Sequence, residues 1–370
     1  MKFTCAKETI LSVLSQISKA IAVKPASPVL GGIYLKVEEN SLELHANNYS
    51  LGMSAKIPVN AIENGEIVVI GKKFLDVVRA MPNSDAIIFT YDEKEHCLEI
   101  ACGRSSYSIA TFNVEDFPKV TKKDAENFFD IKATVLKSLI KKTVWACVQD
   151  ESHPLYSGCL FDTIDDSINV VGTNMHRVSI ATDKLLQKPA EPLRFIVPVD
   201  SLRSISEMLP DDDELNITID FTGKNVAFTI ENIFLTARII EGKFPEYQKT
   251  IPKSSETIVI ADVEALRSAL ERISIISKED SNKKVAFEFT QNGTEIFAAT
   301  SEIGSGTETL HTDVTGPNLN ISFNYSYIID ALKVLKSGDC RMAFNGVYDA
   351  LDLRSQGDDS YIYIVTPVRA

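Results

Sequence analysis

The sequence predicts an α+β fold of three repeated domains, each with two helices packed on antiparallel sheets. Two observations carry this prediction. A strand followed by an amphipathic helix recurs about every 127 residues, and short stretches of alternating apolar and polar residues lie between the helices. At 370 residues and 44% hydrophobic composition, the chain is long enough to bury several cores.

The first helix of each repeat is predicted by apolar residues at helical spacing. The anchors Ile10, Leu136 and Leu266 lie 126 and 130 residues apart, and further apolar residues follow each anchor after three and four positions. Residues at this spacing share one face of a helix. We therefore expect that face to pack against the strands of the same repeat.

A second helix follows in each repeat. Its anchors Phe74, Leu202 and Ile329 lie 128 and 127 residues apart. Pro82 and Pro210 follow the first two of these helices. Proline cannot continue a helix, because it lacks the backbone N–H and clashes with the preceding turn. The same period thus appears in a second, independent element.

The segments between the helices alternate apolar and polar residues with a period of two, as half-buried strands do. The clearest examples are residues 41–46, 97–102, 168–172, 215–219, 226–230, 285–289, 319–323 and 361–365. Each repeat is therefore expected to contain several short strands beside its two helices.

Proline residues also mark the ends of the repeats. Pro118 and Pro245 lie 127 residues apart, each before a polar stretch that is typical of a linker, and the chain ends shortly after Pro367. We therefore place the three domains at residues 1–126, 127–254 and 255–370.

Several protein classes lack their expected signals in this sequence. No apolar run approaches the roughly 20 residues of a membrane span, and the first residues lack the apolar stretch of a secretory signal. The six cysteines form no CxxC pair, and no phosphate-binding GxxxxGK[ST] loop is present. We expect a cytoplasmic protein with reduced thiols and with neither a metal nor a cofactor.

The net charge of −13 argues against a nucleic-acid partner, but this charge is unevenly distributed. The predicted helical segments 6–20, 72–80, 132–146, 200–209, 262–276 and 326–336 together carry +6, so the remaining residues carry −19. Solvated lysines on surface helices are one explanation. A helix face that binds the phosphates of a polyanion is the other, and it accounts for the separation of charge by element type. The excess is led by Lys72, Lys73, Arg79, Lys132, Lys137, Lys141 and Lys142.

The stretch NVVGTNMHRVSIATD, residues 169–183, places a histidine and an arginine between two apolar runs. One hypothesis is a cytosolic hydrolase that uses His176, Arg177 and Asp183. However, a nucleophile elbow, an HExxH pattern and a metal-binding pattern are all missing around these residues. The other hypotheses are a hydrogen-bonded structural turn and a binding loop, and the stretch alone does not decide among the three.

Motifs spread over the whole chain resemble the bacterial DNA polymerase III β subunit family, the sliding clamps. They include GKKFLDVVRAMP, GRSSYSIATF, VVGTNMHRVSI, GKFPEYQKTIP, FNYSYIIDALKVLK and YIVTPVR. The resemblance implies domains of the DNA-clamp type in a head-to-tail homodimer, which closes into a ring around duplex DNA with helices lining the hole. It also implies a non-catalytic processivity factor without a cofactor. The implied partners are double-stranded DNA bound without sequence preference, the polymerase III α subunit, the clamp loader, and other polymerases and repair proteins that carry clamp-binding peptides.

The resemblance further assigns roles to individual residues. It implies a peptide-binding pocket on the outer rim, formed by Leu155, Tyr156, Thr173, Met175, His176, Arg177, Val178, Pro245, Lys249, Thr250, Ile364, Val365, Thr366, Pro367, Val368 and Arg369. Apolar side chains would receive the anchors of the peptide, and the two arginines would bond its carbonyl groups or a carboxylate. DNA would contact Lys24, Lys72, Lys73, Arg79, Lys137, Lys141, Lys142 and Gln149. The dimer interface would use Arg104, Tyr107, Ile109, Arg272, Ile275, Ile276 and Glu302.

The sequence departs from the family at the implied pocket. Met175 stands where many members have a glycine, and Thr366 and Val368 replace common methionines. Lys249 replaces an arginine, and the loop around His153 carries one inserted residue. We therefore expect a differently shaped pocket with its own peptide preference.

Overall fold

The computed structural model describes residues 1–83, 86–122, 127–148 and 153–368. The chain divides into two compact units. Unit 1 comprises Met1–Thr134, Leu186–Glu191 and Asp200–Ile239, and unit 2 comprises Val135–Leu185, Pro192–Val199 and Ile240–Ala370. The central repeat therefore contributes residues to both units.

The six predicted helices are all present. They are α1 (Lys7–Ile17), α2 (Gly71–Ala80), α3 (Ala133–Thr143), α4 (Val199–Met208), α5 (Val263–Ser277) and α6 (Tyr325–Leu335). All six predicted anchor residues are buried, which confirms the apolar faces. The helices α2 and α4 end two residues before Pro82 and Pro210, as the sequence predicts.

Side chains cap the two helices of the third repeat. Asp262 accepts a hydrogen bond from the backbone N–H of Ala265 at 2.7 Å, at the start of α5. Asn324 accepts one from the backbone N–H of Ser326 at 2.9 Å, at the start of α6. Each cap satisfies an N–H that has no partner within the helix.

Short strands fill the segments between the helices, as the alternating patterns predict. They are β1 (Lys2–Cys5), β2 (Gly32–Glu38), β3 (Ser41–Asn47), β4 (Leu51–Pro58), β5 (Asn60–Glu63), β6 (Gly65–Ile70), β7 (Ile87–Asp92), β8 (Cys97–Cys102), β9 (Ser105–Phe112), β10 (Asn127–Lys132), β11 (Gly158–Ile164), β12 (Ser167–Thr173), β13 (Arg177–Lys184), β14 (Arg194–Pro198), β15 (Asn216–Phe221), β16 (Asn225–Ile230), β17 (Ile233–Arg238), β18 (Thr257–Asp262), β19 (Lys284–Thr290), β20 (Gly293–Thr300), β21 (Gly304–Leu310), β22 (Asp313–Thr315), β23 (Leu319–Asn324), β24 (Asp339–Phe344), β25 (Leu351–Ser355) and β26 (Asp358–Val365).

Unit 1 contains one antiparallel sheet of 13 strands, in the order β10-β15-β16-β17-β4-β3-β2-β6-β9-β8-β7-β1-β5. The first and central repeats join where β17 pairs with β4, with Leu235 opposite Met53. In the core, the rings of Phe3 and Phe89 stack at 4.6 Å, and Phe74 of α2 meets Phe89 edge-on. The repeat junction is therefore a continuous ladder of backbone hydrogen bonds.

Unit 2 contains two antiparallel sheets. The larger has nine strands in the order β14-β11-β12-β13-β26-β25-β24-β18-β22, and the smaller has four in the order β21-β20-β19-β23. The central and third repeats join where β13 pairs with β26, with Ser179 opposite Tyr363. The helix α5 packs on the four-stranded sheet, mainly against β20 and β21.

Two sequence-level expectations about chemistry can be compared with the structure. All six cysteines are free thiols, and all except Cys97 are buried. In the part of the chain that the structure describes, no helix is both long enough and apolar enough to cross a membrane.

Candidate functional site

A tight turn connects β12 to β13 and contains the histidine that the sequence singles out. The Asn174 side-chain oxygen accepts hydrogen bonds from the backbone N–H groups of His176 and Arg177, both at 3.1 Å. The Thr173 hydroxyl donates to the Arg177 carbonyl at 2.7 Å and accepts from the Met175 N–H at 3.1 Å. These bonds fix the turn locally and leave the side chains of Met175 and His176 exposed.

Met175 adopts a left-handed backbone conformation in this turn, with φ of 75°. A side chain is disfavoured there because its Cβ approaches the backbone, whereas glycine has no such restriction. The conformation explains physically why glycine suits this position. The methionine adds a side chain, 48% exposed, to the rim of the site.

The tail of the chain lies directly beside this turn. Val178 of β13 pairs with Ile364 of β26. Beyond the end of β26, Thr366 donates from both its N–H and its hydroxyl to the His176 carbonyl, at 3.0 and 3.1 Å. The structure thus brings together two segments that are almost 190 residues apart in the sequence.

An apolar cluster lies beneath one face of β12, β13 and β26. Its buried members are Leu160, Val171, Ile180, Ile196, Phe244 and Tyr247, and the half-buried side chains packed against it are Leu155, Val178, Ile240, Ile251 and Ile362. Tyr156 also meets the ring of Phe244 edge-on, at 6.4 Å between centroids. We call Leu155, Tyr156, Val178 and Ile362 the docking surface, because these half-buried side chains offer apolar area to solvent above a rigid base.

The segment that follows Phe244 is held in place by polar contacts. Tyr247 is buried, donates from its hydroxyl to Asp162 at 2.9 Å and accepts from the Asn169 side chain at 2.9 Å. Burial, followed by the nearby Asp162 carboxylate, raises the pKa of Tyr247 well above its usual value, so the phenol stays protonated. Around it, Pro245, Lys249 and Thr250 are exposed.

The structure corrects the predicted role of Arg177. Its side chain is only 8% exposed, and it lies between the rings of Trp145 and Tyr327, at 4.8 and 4.5 Å. It donates to the Asp330 carboxylate at 2.9 Å and to the Trp145 carbonyl at 2.8 Å. The prediction that Arg177 bonds a docked peptide is therefore wrong, because every one of these partners lies on the face of β13 opposite the docking surface.

Three other predicted pocket residues do not offer side-chain surface. Thr173 and Ile364 are buried, and Val365 is fully buried as the cross-strand partner of Arg177. Pro367 and Val368 are half-buried and remain available, whereas Arg369 lies outside the described residues. Ile362 was missed, although it alternates with Ile364 in a strand that the sequence did predict.

The basic residues predicted to face DNA can be placed within each unit separately. In unit 1, Lys24, Lys72, Lys73 and Arg79 are exposed. On α2, these cations occupy the solvent side, while Phe74 lies in the core. In unit 2, Lys141 is exposed, and Lys137 and Lys142 are half-buried. Gln149 lies outside the described residues, and His153 is exposed with its ring 6.2 Å from that of Tyr156.

Each unit has an open strand edge where the dimer interface is predicted. In unit 1, β9 pairs with β8 from Ser105 to Ala110, but it pairs with β6 only at Thr111 and Phe112. In unit 2, β21 pairs with β20 alone among the described strands. Unpaired edges of this kind are templates for pairing with another chain.

The side chains near these edges meet the prediction only in part. Arg104, Tyr107 and Glu302 are exposed, and Ile275 is 67% exposed. Ile109, however, is buried within its own subunit, so its side chain cannot contact a partner. Two more predicted residues have partners within the subunit: Arg272 makes a two-pronged ion pair with Glu308, and Ile276 packs over Gly306.

Comparison with protein-family models covers nearly the whole chain. The N-terminal domain of the DNA polymerase III beta subunit matches residues 1–121, the central domain matches 130–246, and the C-terminal domain matches 248–369. The chain belongs to the DNA polymerase III β subunit family.

Relatives of this family align over their full length. The beta sliding clamp of Vibrio cholerae is 28% identical over 370 residues and that of Bacillus subtilis 25% over 379, with complete coverage of both chains in each case. The beta subunit from DNA polymerase of Streptococcus pyogenes is a similar solved structure, with a TM-score of 0.93 and 26% identity over all of both chains. The sliding clamp structure from Bacillus subtilis, at 24% identity and a TM-score of 0.95 over 100% of this chain and 99% of that one, shows the same fold.

As a DNA polymerase III β subunit, the chain is a sliding clamp and a non-catalytic subunit rather than an enzyme. The geometry around His176 agrees with this. Asp183 lies near the far end of β13, and seven extended residues span roughly 20 Å. His176 and Asp183 therefore cannot act on one substrate, and Arg177 is buried away from both.

Proposed function

We propose that this β subunit forms a head-to-tail dimeric ring around duplex DNA and binds replication and repair proteins on its docking surface. The observation that carries the proposal is the meeting of the Asn174 turn with the tail at Thr366, above a single buried apolar cluster. A surface of this kind receives the apolar anchors of a short peptide.

The ring would be closed by the open strand edges. An edge on β9 and an edge on β21 are different surfaces, so pairing one with the other in a second copy is a heterologous contact. Two such contacts close a dimer and leave neither edge free. Exposed Tyr107 and Ile275 lie on or beside the two edges and would lose their exposed apolar area on closure.

The charge distribution supports a DNA-facing role for the helices. The helical segments carry +6 in a chain of −13. A closed ring cannot leave DNA sideways, so weak and sequence-independent phosphate contacts from Lys24, Lys72, Lys73 and Arg79 are sufficient and allow sliding. A polymerase held on such a ring stays near the DNA through its effective concentration.

The partners follow from this activity. The polymerase III α subunit, the clamp loader, and other polymerases and repair proteins would present peptides to the docking surface, in the cytoplasm where replication takes place. We also propose domain limits at 1–126, 127–254 and 255–370, which largely overlap the family-model matches.

The test is a titration with a short peptide that carries glutamine followed by spaced leucine and phenylalanine. Wild type should bind it saturably, and Val178→Asp should weaken binding at least about tenfold, because it places a charge on the apolar surface. The matched control is Ile164→Asp, at an exposed isoleucine at the end of β11 in the same unit. No saturable binding to wild type, or equal loss in both variants, would refute the docking surface.

A second experiment tests the ring. Purified protein loaded on DNA should remain on circular duplexes and run off linear ones. Equal retention on both forms would contradict a topological tether.

A further inference from the structure

An exposed trough crosses the solvent face of the four-stranded sheet in unit 2. Its floor is a cross-strand row, in which Ala286 of β19 lies between Phe297 of β20 and Ser322 of β23. Successive residues of a strand point to opposite faces. Because Val285 and Phe287, on either side of Ala286, are fully buried, this row faces away from the core.

Large side chains stand on both sides of this small-residue floor. Phe297 is 43% exposed on one side, and Tyr348 is 79% exposed on the loop that follows β24 on the other. The space between them measures about 580 Å³, which is enough for several residues of an extended peptide. Clustered exposed apolar side chains around a concave surface mark an interaction site.

The tail connects this trough to the docking surface. Thr366 donates to His176 in the turn beside the docking surface, and Val368 donates to the Ser322 carbonyl at 2.8 Å in the floor of the trough. These anchor points are two residues apart on an extended segment, which is about 7 Å. A single bound peptide can therefore reach both.

The trough also offers backbone hydrogen bonds. In the described residues, β23 pairs with β19 only, so its other edge is open apart from the bond from Val368. The Ser322 carbonyl points to that edge, and so do the backbone groups of Asn320 two residues away. An extended chain can add to such an edge.

We propose that the trough binds the extended segment that flanks the core of a partner's clamp-binding peptide, with an aliphatic or aromatic side chain seated on Ala286 between Phe297 and Tyr348. This inference rests on the proposed function, because it extends the docking surface. The only charged residues in the lining are Asp280 and Lys284, which balance each other. That lining favours an apolar peptide segment over the phosphates of a nucleic acid.

The experiment compares the core peptide with versions that carry a flank of about five residues containing one leucine, at either end. Peptides with Gly-Ser flanks of equal length are the controls. We expect one leucine-flanked peptide to bind wild type about tenfold more tightly than the core peptide and its Gly-Ser counterpart. Phe297→Ser and Tyr348→Ser should each remove this gain and leave the affinity for the core peptide unchanged. Ile164→Ser, at a similarly exposed isoleucine elsewhere in unit 2, should retain the gain.

The outcomes separate the two proposals. If the core peptide binds but neither leucine flank improves its affinity, the trough proposal is wrong and the docking surface stands. The same holds if the trough variants weaken core and flanked peptides equally. If the core peptide itself does not bind wild type, the docking surface is wrong and the trough proposal falls with it.

Discussion

Replacement of Arg177 by alanine distinguishes a structural arginine from one that contacts a partner. The guanidinium is buried between two aromatic rings, Trp145 and Tyr327, and donates to the Asp330 carboxylate and to the Trp145 carbonyl. The docking surface lies on the opposite face of β13. We therefore expect Arg177→Ala to lower the stability of unit 2 far more than its affinity for a docked peptide.

The size of this loss can be worked from the local interactions. A hydrogen bond that involves a charged group contributes about 1.5–3 kcal/mol, and a cation–π interaction about 0.5–1 kcal/mol. Alanine removes two hydrogen bonds and two ring interactions. Asp330, however, is partly exposed and has Lys333 at 3.9 Å, so its uncompensated charge is screened. We expect the free energy of unfolding to fall by about 3 kcal/mol.

The assay combines urea unfolding with peptide titration at a temperature where both proteins are folded. Arg177→Ala should move the unfolding midpoint clearly downward, while the peptide Kd changes by less than about fivefold. His176→Ala is the neighbouring control: its exposed side chain should change stability by no more than about 0.5 kcal/mol. An Arg177→Ala protein with normal stability and no peptide binding would refute this reasoning, because it would require direct contact with the peptide.

Two further predictions concern the ring and its DNA-facing helices. Ile275→Asp should give monomers with unchanged circular dichroism, since 67% of this side chain is exposed and only a dimer would bury it; a fully dimeric variant in sedimentation would place the interface elsewhere. Lys72→Glu combined with Lys73→Glu should weaken DNA association and reduce its salt dependence, by about 0.9 in the log–log slope for each phosphate that the protein no longer neutralises. An unchanged slope would mean that these two lysines are merely solvated.

The sequence predicts the elements well because each prediction depends on a local period. The helix anchors recur at a spacing that only a helix can place on one face, and all six are buried. The alternating segments became strands for the same reason. The division into two units could not be read from these periods, because it depends on which strands pair across the repeat junctions.

The site was predicted in position but not in detail. Neighbouring residues of a strand point to opposite faces, so Arg177 and Val178 could not both line one pocket, nor could Ile364 and Val365. Applying that alternation to the predicted strands would have excluded Arg177 and pointed to Ile362. The aromatic partners of Arg177 come from distant segments, and no local pattern reveals them.

The ladder between β17 and β4 also determines how such a chain can be recombined. The repeat period records a duplicated sequence, but the sheets run across the repeat borders. A segment exchanged between two clamps at those borders would have to match foreign strands along β17 and along β13, and a poor match would leave raw edges. Chimeras joined where the chain passes from one unit to the other, such as 134/135 and 239/240, keep each ladder within a single parent's sequence, provided that the intervening short crossings at 186–191 and 192–199 follow their own units.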